Sequence, residues 1–127
     1  MTNIRADEYC IKVFDGTHDS PKPSIVGYPL ITSKNIQKNK LDFDSAYLIS
    51  KENFDQINKR SMVKKWDILF TMIGTVGEVF LIDNIDREFA IKNLGVFSCE
   101  NEFKSKWLFY YLQSPFAKKY LKYQLSG

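Results

Sequence analysis

Apolar positions fall in short runs, four to seven residues long, divided by polar stretches rich in Gly, Asn, Asp, Ser and Thr. The clearest pair lies in WDILFTMIGTVGEVFLID, positions 66–83. Runs at 67–73 and 78–82 flank Gly74-Thr75-Val76-Gly77. Both are nearly continuous in Ile, Val, Phe and Leu, and too short to be helices. They predict a β-hairpin of central, buried strands. The two glycines permit positive φ and close approach of another backbone, either the protein's own or a ligand's.

The same pattern predicts further strands at 8–14 and 27–32, a short apolar piece at 47–49, and strands at 88–91 and 96–99 joined by a link at 92–95. Pro29 places the second strand at an edge or at its own start, because proline cannot donate to a ladder. Positions 51–59 predict a helix, with Ser50 as N-cap and Glu52 in the first turn. Phe54 and Ile57, three apart, share its inward face. Ser33 is a possible cap for a short turn. Trp107, Leu108, Tyr111 and Leu112 recur at helical spacing, and Ser114-Pro115 restarts the pattern. The aromatic stripe that follows, with Phe116 and Tyr120, reads as core packing. Positions 15–24 form a polar loop stiffened by Pro21 and Pro23, either a surface connection or a binding loop.

At 127 residues the chain is the length of one domain. No apolar run reaches the roughly 18 residues of a membrane span, and the N-terminus lacks the apolar stretch of a secretory signal. Cys10 and Cys99 sit inside apolar runs and read as buried thiols, which suits the cytoplasm. One His and two separated Cys do not make a zinc site. The net charge of +3 permits a nucleic-acid partner without requiring one. Its distribution says more: Lys34, Lys38 and Lys40 cluster, as do Lys59, Arg60, Lys64 and Lys65, and Lys118, Lys119 and Lys122. Such clusters beside Asn-, Ser- and Thr-rich loops suit phosphate contact.

Catalytic patterns are scarce. The sequence has no phosphate-binding glycine loop between strand and helix, no Gly-x-Ser-x-Gly elbow, and no methyltransferase cofactor loop. His18 near Asp15 and Asp19 reads as a binding residue rather than an acid–base pair. Asp83 or Asp86 with Glu102 and Lys104 echoes a nuclease metal site only in passing. Gly74-Thr75-Val76-Gly77 lacks the basic centre and flanking helices of the RNA-binding Gly-x-x-Gly loop.

Five pieces, in this order, resemble a known family. They are Asp15-Gly16-Thr17-His18 followed by Pro21, Tyr28 to Ile36 (YPLITSKNI), Asp67 to Gly77 (DILFTMIGTVG), Ile91 to Val96 (IKNLGV), and Trp107 to Ser114 (WLFYYLQS). Together they resemble a target recognition domain from the specificity subunit of a type I restriction-modification enzyme. The resemblance implies an α/β fold with a curved, mostly antiparallel sheet and helices at its side. It implies double-stranded DNA as the ligand, one half of a split target read per domain, and no cofactor. Modification and restriction subunits are the implied partners and carry the catalysis. Family members pair two such domains through long spacer helices. No spacer helix follows here, so the chain is expected to be a fragment, with any dimer made through a helix absent from it.

The expected DNA contacts are Thr17, His18, Ser33, Lys34 and Asn35, with Lys65, Gly74, Thr75, Gly77 and Asn93. Lys34 and Lys65 are expected on phosphates, and Asn35 on a base. The two glycines can equally serve to shape the hairpin. Readings from other classes are a protein-interaction domain using the aromatics at 103–120, a metal-dependent nuclease, and an RNA binder.

Overall fold

The computed structural model describes residues 10–37, 40–72, 78–115 and 117. Its strands are β1 (Lys12–Asp15), β2 (Tyr28–Ile31), β3 (Ile36–Gln37), β4 (Lys40–Leu41), β5 (Leu48–Ile49), β6 (Ile68–Thr71), β7 (Val79–Leu81), β8 (Ala90–Ile91) and β9 (Leu94–Ser98). The helices are α1 (Lys51–Ser61) and α2 (Glu102–Leu112). The main sheet has the order β1-β9-β6-β7 and is antiparallel throughout. A second sheet, β5-β2-β8, pairs β2 antiparallel to β5 and parallel to β8. β3 and β4 form a separate two-stranded ribbon. The fold is therefore the mixed α/β, mostly antiparallel arrangement that the resemblance implies. Among the described residues, no helix is long and apolar enough to cross a membrane.

β6 is central and buried at all four positions, as its continuous apolar run predicts. β7, expected to be central too, lies instead at the end of the sheet, with Phe80 and Leu81 only half-buried. Alternate side chains enter different cores. Ile68 and Phe70 join Val79, Phe97, Leu108 and Leu112 under α2. Leu69 joins Ile31, Ile91, Leu94 and Val96 between the two sheets. A third cluster, Leu30, Ile49, Phe54 and Ala90, lies under α1. The layers thus run α2, main sheet, second sheet, α1. Each fully buried Leu or Ile contributes roughly 1.5–3 kcal/mol relative to exposure.

The helix signals are used as expected. The Ser50 hydroxyl accepts from Asn53 N at 3.2 Å, Glu52 sits in the first turn, and Lys59 and Arg60 sit in the last. Phe54 stacks on Tyr28 with ring centroids 4.1 Å apart, and Ile57 packs against the same cluster. Asn101 caps α2, accepting from Lys104 N at 2.9 Å. Ser114 accepts from Ala117 N at 3.2 Å, the expected restart of the helical pattern. Phe116 and Tyr120 lie outside the described residues.

Three local expectations are corrected. The cap of the Ser33–Asn35 turn is Thr32, not Ser33. Leu94 and Gly95 are not part of a link but open β9, and Lys92-Asn93 alone carry the chain from the second sheet to the main one. The first strand runs from Lys12, Cys10 and Ile11 forming a bend before it, and positions 8–9 of the expected strand lie outside the described residues. Pro29 is tolerated because β2 pairs with β8 only from Leu30 onward. Cys10 and Cys99 are both buried, with sulfurs 3.6 Å apart and no disulfide. Burial, then the neighbouring Cys99, pushes the Cys10 thiol up to about 12.

Candidate nucleic-acid interface

Pairing in the main sheet brings several strand ends to one rim. β1 ends at Asp15 opposite Gly95, and β6 ends at Thr71 opposite Leu94. The chain just beyond β1 is then stitched to the Lys92-Asn93 link. Gly16 N donates to Leu94 O at 2.8 Å, Thr17 N to Ile91 O at 3.2 Å, and Asn93 N to Thr17 O at 2.9 Å. Lys92 N donates to Ile31 O at 2.9 Å, so the turn after β2 departs from beside this link. Gly16 is needed for the approach: a Cβ there would lie 2.5 Å from Ile91 O. Three stretches far apart in sequence, around 16–20, 32–34 and 92–93, therefore meet.

Side chains complete the rim. His18 Nε2 lies 2.7 Å from Asp15 Oδ2, and Nδ1 lies 2.7 Å from Asn93 Oδ1. The bonds to Asn93 and then Asp15 raise the His18 pKa above its ordinary value, while nearby Arg60 opposes the shift. Asn93 has φ 54°, a left-handed conformation that Asn tolerates better than most residues. Lys92 Nζ donates to Ser20 Oγ at 2.7 Å, and the Thr17 hydroxyl accepts from Asp19 N at 3.1 Å. Ser61 Oγ donates to Asp15 O at 2.9 Å, which ties the end of α1 to the rim beside the exposed Lys59 and Arg60. Cations at a helix C-terminus also have a structural use.

The expected site residues divide. Thr17, His18 and Asn93 come together directly. Ser33 and Lys34 lie on the capped turn that leaves the same rim, with Lys34 exposed. Asn35, expected on a base, is buried within the turn. It is 3% exposed, its Oδ1 accepts from Thr32 N at 2.8 Å and Thr32 Oγ1 at 3.2 Å, and its Nδ2 donates to Ser45 Oγ. Both ends of the amide hold the turn together. Gly74, Thr75 and Gly77 lie outside the described residues. Their flanks, Thr71 and Glu78, exchange bonds at the rim: Thr71 N donates to Glu78 O, and Glu78 N to Thr71 Oγ1.

Lys65 is not brought to this cluster. It precedes Trp66, whose N donates to Ile82 O at the opposite end of β6. The four residues of β6 set it about 13 Å from the rim. Lys65 and Lys106 both place their ammonium groups 5.2 Å from the Trp66 ring. A cleft of about 350 Å³ lies there, lined by Trp66, Phe80, Asp83, Lys106, Phe109 and Tyr110. Sequence reasoning passed over Lys92 and the clamping role of Asp15. The three-residue Asp15-to-His18 spacing was the available signal for the second; nothing local marks the first.

Among the described residues, no group of three or more His, Cys, Asp or Glu could hold a metal ion. Lys104 and Lys106, beside the suspected nuclease carboxylates, pair with Glu100 and Glu102 at 3.0 and 2.6 Å.

No curated protein matches the chain. Residues 22–127 match the family model of the type I restriction modification DNA specificity domain. Asp15, Thr17 and His18 precede the matched segment but are bonded to Ile91 and Asn93 within it. With this match over most of its length, the chain belongs to the type I restriction-modification DNA specificity domain family, whose members are non-catalytic recognition components.

Proposed function

We propose that this chain binds double-stranded DNA and reads one half of a bipartite target, with the strand-end rim as its reading surface. The observation that carries the proposal is the meeting of Thr17, His18, Lys92 and Asn93 beside the Thr32–Lys34 turn. Short polar side chains held where strands end can hydrogen-bond base edges in the major groove. The cations around them, Lys34, Arg60 and Lys92, suit phosphates. Thr17, Asn93 and Ser33 are the proposed base readers, with His18, bonded through both ring nitrogens, holding Asn93 in place. Asn35 sets the turn, and Lys65 lies outside the surface.

The wider assembly belongs to the same proposal. Modification and restriction subunits supply methyl transfer and cleavage, a spacer helix pairs this chain with a second recognition domain, and the complex works in the cytoplasm. A protein-contact role for another face has its own support. Phe103, Trp107 and Tyr110 lie on one side of α2 and are 77%, 53% and 69% exposed.

Selection from a random duplex pool tests the reading. The expected result is enrichment of a short motif of a few base pairs, with affinity that falls steeply with salt. Recovery of no motif, or displacement of bound duplex by single-stranded RNA at equal concentration, contradicts it.

A further inference from the structure

Both ring nitrogens of His18 face oxygen atoms, and the two partners differ in kind. The Asp15 carboxylate only accepts, so Nε2 carries a hydrogen whenever that bond is kept. Nδ1 is then the nitrogen that titrates. It is a donor in the imidazolium and a lone pair in the neutral ring. The Asn93 amide turns its oxygen to Nδ1, which suits the donor. When Nδ1 loses its proton, two acceptors face each other. A half-turn of the amide about its terminal torsion brings Nδ2 to the ring instead and restores the bond. The backbone need not move, because Asn93 N stays bonded to Thr17 O. What changes is the atom facing away from His18: the amide NH2 when the ring is charged, the amide oxygen when it is neutral.

We infer that His18, clamped by Asp15, sets the polarity of the Asn93 amide, so that one base position is read through an acceptor edge when the ring is charged and through an exocyclic amino group when it is neutral. This rests on the DNA-reading proposal for the rim. The acceptor edge is guanine O6 and N7, and the amino group is that of adenine or cytosine. The charged groups facing the ring are Asp15 from the end of β1 and Arg60 from the end of α1. His18 is a positioning residue here, and Asn93 makes the contact.

The test is duplex selection with this chain at one pH below and one pH above the His18 ring titration, located first by side-chain NMR because the fold raises it above the ordinary value. The expected result is a change in preference of about tenfold or more at one base pair, the others holding. His18→Gln removes the pH dependence. Asn93→Asp, which offers only acceptors, keeps the amino-group preference at both pH values. A wild-type preference identical at both pH values overturns the inference, as does a pH-dependent switch that survives in Asn93→Asp. Side-chain NMR gives a readout that needs no DNA. The Asn93 amide signals must follow the His18 ring titration, and signals that ignore it overturn the amide turn. Absence of duplex binding at both pH values refutes the DNA reading, and the NMR titration still decides the amide turn separately.

Discussion

Asn35 and His18 show how a side chain's use depends on what surrounds it. An Asn beside a Lys on a polar turn suits adenine by residue type alone. Its burial, and its bonds to Thr32 and Ser45, convert it into the fastening of the turn. Asn35→Ala should therefore lower unfolding stability by about 1–3 kcal/mol, because buried partners are left unpaired. Chemical denaturation measures this; unchanged stability together with relaxation at one base position would restore the reading role. His18 makes a second prediction. Its folded pKa is raised above its unfolded value of about 6.5. The stabilisation it adds is thus complete below about pH 6.5 and is lost as pH rises through the folded value. Denaturation midpoints across that window should fall in the wild type and fall less in His18→Ala. Equal slopes would show that the two bonds contribute nothing in solution. Asp15 was legible as a partner from its spacing to His18. Asn93 was not, since 75 residues separate it from His18 and only the fold joins them.

At the scale of elements, the sequence was most readable where burial is most complete. β6 is apolar at nearly every position because it is covered on both faces, and α1 carries a cap, an acidic first turn and a basic last turn. The start of β9 was harder to see, because glycine reads as punctuation. Gly95 stands opposite Phe70, and the Phe70 ring occupies the space a Cβ would need. Glycine is therefore a packing choice inside a strand, not a turn signal. Gly95→Ala should destabilise the chain by about 1–3 kcal/mol by displacing that ring. Denaturation again provides the check, and a neutral result would mean that the ring relocates freely. The β8-to-β9 step was also hidden. A two-residue passage between sheets has the same local composition as a hairpin link.

For the whole molecule, the ordered set of motifs was legible in the sequence, and their convergence on one rim was not. Lys34 and Lys65 looked equivalent as lysines in basic clusters, yet the fold puts them at different ends of the main sheet. Lys34→Ala should weaken duplex binding for all sequences and lower the salt slope by about one ion. Lys65→Ala should leave the slope unchanged. Reversal of the two would move the DNA surface to the Trp66 end. The most direct measurement is backbone amide shift mapping while the selected duplex is added. Perturbations centred on Gly16 to Ser20, Thr32 to Lys34, and Lys92 to Asn93 are the expected result. Perturbations centred instead on Trp66, Lys106 and Tyr110, with the rim unmoved, would contradict a DNA-reading rim.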